Sequence, residues 1–172
     1  MFVAVWPPVE VLHLLAGLDR PAHPDVRWTT PDQWHVTLRF LGRVDDAERS
    51  ALMTAWEAIE LSAAQAVLGP EAKRFGDSIL QIPVDGLDLL AASVVAATAA
   101  VGEPPDPRPF HGHLTLARAR GRTRVLRQLA RMPVEASWRV EDIALVVSHT
   151  NPAGARYETI ARRTLPCDTV GR

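Results

Sequence analysis

The 172-residue chain has a single cysteine, Cys167, which cannot form an internal disulfide and so fits a reducing compartment. Its amino terminus, Met1-Phe2-Val3-Ala4-Val5-Trp6-Pro7-Pro8, has neither the basic start nor the apolar run of a signal peptide, and no stretch is long enough to span a bilayer. A cytoplasmic protein with no membrane partner is therefore expected. No Walker loop, Gly-x-Ser-x-Gly elbow or Cys-x-x-Cys pair is present, so the motif-bearing routes to phosphate binding, serine hydrolysis and dithiol chemistry have no support. Lysine is nearly missing, with Lys73 alone, and acidic residues are missing altogether from 108 to 131. That stretch holds Arg108, Arg118, Arg120, Arg122, Arg124, Arg127 and Arg131 in a chain of formal net charge −1. Its charge is carried by guanidinium groups, which grip phosphate bidentately and stack on bases. The competing reading of Arg122 to Arg131 is the solvated face of a helix.

What is present is enough for one folded unit. With 47% hydrophobic and 23% charged residues, the chain has the composition of a globular protein and is expected to form a single domain over 1–172. Its distinguishing feature is a repeated tetrapeptide: His35-Val36-Thr37-Leu38, within Trp34 to Gly42, returns as His113-Leu114-Thr115-Leu116. One such match arises by chance in roughly a few per cent of chains of this composition and two on the order of one in a thousand, so the pair is a signal. In a strand, residues two apart share a face. Each motif then presents an imidazole and a hydroxyl together, backed by apolar side chains on the reverse.

Read in order, Phe2 to Trp6 is a short buried strand, and Pro7-Pro8 opens a helix through about Leu18 with Val11, Leu12, Leu14, Leu15 and Leu18 as its stripe. A short strand at Val26 to Trp28 and a turn at Pro31-Asp32-Gln33 lead into the first motif strand, which Gly42 ends. Asp45-Asp46 caps a helix from about Ala47 to Leu61 with Leu52, Trp56 and Ile59 inward. Strands follow at Ala66–Leu68, Arg74–Phe75 and Ile79–Val84, then a helix from Leu87 to Val101 and a proline-rich loop from Gly102 to Pro109. After the second motif come a helix at about Arg122 to Arg131 and strands near Val134–Arg139, Ile143–Thr150 and Arg156–Leu165. Each half carries a helix, a motif strand, a further helix and antiparallel strands. The fold class expected is α+β, an internal duplication whose two similar lobes of antiparallel sheet and helices face each other across a central cleft.

Two histidines at one substrate divide the labour of proton transfer, one imidazole taking a proton from an attacking oxygen while an imidazolium gives one to the leaving oxygen. Hydroxyls beside them donate to a phosphoryl group as charge builds on its oxygens. This chemistry requires no metal and no cofactor. Metal binding by His35, His111 and His113 is the rival, but it leaves both threonines unexplained and no Asp or Glu lies beside either motif to orient a ligand. By alternation Arg39 shares the face of His35 and Thr37 and is the phosphate ligand expected from geometry. The same rule places Arg118 on the face opposite His113, unless a bulge intervenes.

The strand Phe2-Val3-Ala4-Val5 before Pro7-Pro8, the stretch Trp34 to Gly42, the run Phe110 to Arg118 and the closing Ser148 to Tyr157 with Gly154 together resemble the two-histidine phosphoesterase superfamily. Within it the chain is most similar to the RNA 2′,3′-cyclic phosphodiesterases long described as 2′-5′ RNA ligases. The resemblance implies His35 and His113 as catalytic pair, Thr37 and Thr115 as phosphate-binding hydroxyls, and Arg118 as a further phosphate contact, with Phe110 counted among the substrate-binding candidates. It also implies an RNA end bearing a 2′,3′-cyclic phosphate as partner, water attack leaving a 2′-phosphate, and weak ligation by the reverse chemistry. A monomer is expected. The alternatives are a phosphodiesterase of small cyclic nucleotide phosphates and a non-enzymatic RNA-binding module. Two departures from the family stand out: Gly112 replaces the usual proline before the second histidine, which would loosen the strand entry, and His111 adds an imidazole that the pattern does not need.

Overall fold

The computed structural model describes residues 1–120, 124–151 and 154–167. Among these the elements run β1 (Phe2–Val5), α1 (Val9–Ala16), β2 (Val26–Trp28), a single 3-10 turn at Pro31–Gln33, β3 (Val36–Phe40), α2 (Asp46–Glu57), β4 (Gln65–Leu68), β5 (Lys73–Phe75) and β6 (Ile79–Asp85). Then follow α3 (Asp88–Thr98), β7 (His113–Ala119), α4 (Val125–Leu129), β8 (Ala136–Arg139), β9 (Asp142–Asn151) and β10 (Gly154–Thr164). The fold is α+β, as the patterning indicates. No helix among the described residues is long and apolar enough to cross a membrane.

Every strand pairing is antiparallel, in the order β10-β9-β1-β3-β7-β6-β4-β8, with β2 on β7 and β5 on β6. The two motif strands are therefore neighbours at the middle of one sheet path. The lobes do not divide the chain at its midpoint. The first consists of β3 with β1, β9 and β10, so strands from both ends of the chain complete it; the second is β7 with β6, β4 and β8 from the interior.

Local chemistry accounts for the elements. Asp45 Oδ1 accepts from the Glu48 amide at 2.9 Å while Glu48 Oε2 accepts from the Asp45 amide at 3.1 Å, a reciprocal cap that starts α2 one residue before the expected Ala47. Leu52, Trp56 and Ile59 are buried as expected, whereas in α1 only Val11 and Leu15 are fully buried and Leu14 is exposed. The helix expected from Arg122 to Arg131 is shorter, Val125–Leu129, and Arg122 lies outside the described residues, as does Pro152-Ala153 of the last turn. Of the Arg-rich run, Arg118 lies beside the motifs, while Arg108 is tied to Asp106, its Nε 2.9 Å from Oδ1.

Two apolar clusters lie on opposite sides of β1. Val3 and Val5 belong to the main core, under the helices, with Leu38, Leu52, Trp56, Leu90 and Leu114 among its members. Phe2 and Ala4 join Ala144 and Val146 in a small second cluster, against which Trp6 and Tyr157 pack. The second cluster is the floor on which the first motif histidine rests.

Candidate active site

β3 and β7 meet at one register pair, Val36 with Leu114, after which β2 takes that edge of β7. These are the apolar second residues of the two motifs, and both are fully buried. Antiparallel register then sets His35 across from Thr115 and His113 across from Thr37. The four side chains surround a single backbone pairing, and all four line one cleft of about 510 Å³. The expected joining of the two H-x-T units is thus achieved by direct pairing of their strands.

Alternation fails immediately after each threonine, for the same reason in both strands. Against β1, Thr37 pairs with Ala4 and Arg39 with Val3, leaving Leu38 unpaired; against β6, Thr115 pairs with Gln81 and Ala117 with Leu80, leaving Leu116 unpaired. The motif leucine is the bulged residue each time, and each bulge turns the rest of its strand over. Arg118 accordingly enters the cleft, as the resemblance implied and strict alternation denied. Arg39 turns the other way. It is buried, and its Nη2 donates to the carbonyls of Thr98 at 3.1 Å, Val101 at 3.2 Å and Glu103 at 3.0 Å, tying down the end of α3. The expectation of Arg39 as a phosphate ligand is corrected. Phe40, 59% exposed, occupies in the first lobe the place that Arg118 holds in the second.

The second bulge is pinned from outside. Thr29 Oγ1 lies 2.8 Å from the carbonyl oxygens of both Thr115 and Leu116, and it accepts from Trp34 Nε1 at 2.9 Å. Trp34, the residue before the first histidine, thereby helps to shape the strand of the second. Gly112 pins the strand entry rather than loosening it. Its carbonyl accepts from the Val84 amide at 2.8 Å, and a Cβ at 112 would stand 2.2 Å from the Val84 carbonyl oxygen, so the close approach of the chains demands glycine.

The histidines are held alike and housed differently. His35 Nδ1 is 2.8 Å from the carbonyl oxygen of Gln33, and His113 Nδ1 is 3.0 Å from that of His111, each two residues back. A carbonyl only accepts, so Nδ1 carries the hydrogen in both rings and Nε2 is the nitrogen with a lone pair in the neutral form. His35 sits in an aromatic cage: Phe2 stacks on it with centroids 4.8 Å apart, Tyr157 meets it edge-on at 5.0 Å, and Trp6 lies at 5.3 Å. Burial pushes its pKa down to about 4; the Gln33 carbonyl opposes this and the charges of His113 and Arg118 add to it. His113 has no such cage and is exposed.

The remaining expectations separate cleanly. Phe110 and His111 line an adjoining groove of about 950 Å³ that runs beside the proline-rich loop and shares Thr37, Phe40 and His113 with the histidine cleft, so Phe110 lies next to the motif residues and not among the side chains that line the cleft itself. No group of three or more His, Cys, Asp or Glu is gathered around a metal-sized space among the described residues. Cleft residues that sequence reasoning missed include Phe2, Arg27, Gln33, Ser148 and Tyr157. Their signal was weak: Tyr157 is the only tyrosine, but nothing local ties it or Phe2 to His35 across the sheet.

Residues 5–72, which contain the first motif, match the family model described as LigT like phosphoesterase. No curated protein matches the chain in sequence. Among solved structures, a protein of Thermus thermophilus is 26% identical with a TM-score of 0.80, over 95% of this chain and 96% of that one. E. coli LigT in its apo form is 24% identical with a TM-score of 0.77 over 95% of each chain. The same LigT complexed with 3′-AMP is 23% identical with a TM-score of 0.74, over 95% of this chain and 96% of that one. The sequence match covers residues 5–72 with the first motif, and the structural match extends the likeness in fold over both lobes, so the chain is similar to LigT like phosphoesterase in its first part and shares the fold of these structures throughout.

Proposed function

We propose that the protein is an RNA 2′,3′-cyclic phosphodiesterase that opens a terminal cyclic phosphate to a 2′-phosphate by histidine acid-base catalysis. The observation that carries this reading is the matched pair of imidazoles, each with Nδ1 committed to a backbone carbonyl and Nε2 left to serve one cleft. His35, kept neutral by its aromatic cage, is the base: Nε2 takes a proton from water as the water oxygen bonds to phosphorus. The P–O3′ bond breaks, and His113 returns a proton to O3′ from its own Nε2. Thr37, Thr115 and Arg118 donate to the non-bridging oxygens, where negative charge grows; such preorganised donors contribute about 2.7 to 4 kcal/mol each in comparable sites. LigT has been crystallised with 3′-AMP and with NADP+, and nucleotide ligands of that kind suit a cleft with hydroxyl, imidazole and guanidinium donors. Ligation by the reverse attack follows as a weak side activity.

The test is a cyclic-phosphate-ended oligonucleotide incubated with the full chain in excess EDTA. Turnover to a product resistant to a 3′-specific phosphatase is expected. A 3′-phosphate product means that the ribose sits reversed. Loss of activity on chelation with recovery on zinc addition rejects proton transfer by the two histidines alone.

A further inference from the structure

The hydrolytic reading uses one arginine of the cleft and leaves another unemployed. Arg27 on β2 stands directly across from Arg118 on β7 in the antiparallel register, and both line the histidine cleft. Like charges facing each other across a ladder repel, and neither guanidinium has an acidic partner among the described residues. Such a pair costs stability in the empty protein and becomes favourable once an anion lies between or beside the two groups.

The two side chains also serve different ends of the cleft. Arg118 is near enough to His35 for its charge to depress the imidazole, which places it at the reacting phosphate. Arg27 reaches over the cleft to β10, where its guanidinium fills the space that a side chain at position 154 would need. A Cβ there would stand 1.7 Å from Arg27 Nη2 and 2.6 Å from its Cζ, and Gly154 has φ +130, so glycine serves both the backbone and the arginine. The guanidinium thus lies at the cleft wall against Gly154, on an exposed residue.

We propose that Arg27 binds a second phosphoryl group of the substrate, the one on the 5′ oxygen of the nucleoside whose cyclic phosphate meets the histidines. The assignment rests on the cyclic-phosphodiesterase reading. A terminal nucleotide of RNA carries its cyclic phosphate on one edge of the ribose and its only other phosphate on the 5′ oxygen. With Arg118 committed to the first, Arg27 is the cleft guanidinium left for the second among the described residues. Arg27 is then a specificity residue, selecting oligonucleotides and 5′-phosphorylated nucleotides over bare nucleoside cyclic phosphates.

The experiment compares adenosine 2′-phosphate with adenosine 2′,5′-bisphosphate by calorimetric titration of the full chain, in parallel with hydrolysis of adenosine 2′,3′-cyclic phosphate with and without a 5′-phosphate. Wild type is expected to bind the bisphosphate at least tenfold more tightly. Arg27→Ala brings the ratio of affinities close to one, and Arg27→Lys, which keeps charge but loses the bidentate fork, recovers part of it. For hydrolysis, Arg27→Ala raises KM selectively for the 5′-phosphorylated substrate. Equal wild-type affinities, or a preference that survives Arg27→Ala, overturns the inference. A bisphosphate preference that depends on Arg27 without any cyclic-phosphate turnover sustains the anion site and overturns only the catalytic reading.

Discussion

The two motif lobes use one local design and place it in opposite surroundings. Each histidine bonds a carbonyl two residues back, each threonine follows on the same face, and each leucine forms the bulge that ends the run. Yet His35 is walled in by Phe2, Trp6 and Tyr157 while His113 is exposed, and the position two residues past the bulged leucine is Phe40 in one lobe and Arg118 in the other. The repeated part supplies two similar proton carriers. The unrepeated part desolvates His35 and favours its neutral imidazole, the form that the proposed base requires.

The severest way to break the comparison is to delete its members. His35→Ala and His113→Ala should each reduce turnover by about 10² or more, because one general acid or base typically contributes about 10²- to 10⁴-fold. Circular dichroism should show both variants folded. A well-folded variant with near wild-type turnover would remove that histidine from the mechanism.

A finer test acts on the cage. With His35 depressed to about 4, the acid limb of the kcat/KM profile should lie near pH 4, where the base becomes protonated, and activity should hold through pH 5 to 6. Tyr157→Ala admits water to the ring and should move that limb upward, toward the ordinary histidine value of 6.5. The same shift makes a stability prediction. The unfolded chain takes up the His35 proton as pH falls through 6.5 and the folded chain only near 4, so stability is full above 6.5 and declines between those values. The drop from 6.5 to about 4 is worth about 3 kcal/mol at one pKa unit per 1.36 kcal/mol. Urea denaturation of His35→Gln should lack that part of the pH dependence.

Arg39 and Arg118 make a third contrast, between the two sides of the bulges. Arg39→Ala removes a donor from three carbonyls, of which that of Thr98 keeps the Val101 amide, and should cost about 2 kcal/mol in urea denaturation. Arg118→Ala should leave the urea midpoint nearly unchanged and raise KM or lower kcat. If Arg39→Ala impaired catalysis without lowering stability, the bulge at Leu38 would be wrongly placed. The smallest effect belongs to His111→Ala, whose ring lines the neighbouring groove, with turnover expected within about twofold.

Much of this was legible in the chain itself. The duplicated H-x-T-L, its period-two pattern and the buried backing residues identify the motif strands and pair His35 and His113 with Thr37 and Thr115, because these follow from side-chain alternation over three residues. The capping acids of α2 and the irregular proline loop are equally local. Alternation could not see a bulge, which exists only relative to a partner strand. That single omission put Arg39 in the cleft and Arg118 outside it. It could not show either that β9 and β10 close the first lobe, since strand order depends on pairings more than a hundred residues apart.

The sequence by itself determined the chemical parts: two imidazoles, two hydroxyls and a surplus of guanidinium over ammonium. Tertiary structure decided how each part is employed. The folded sheet brings Phe2 and Tyr157, from opposite ends of the chain, onto His35, and burial there pushes its imidazole toward the neutral form. Two bulges decide which arginines meet the substrate side and which the core. Acidity and facing both depend on neighbours brought by long-range pairing, and neither is encoded in a tetrapeptide.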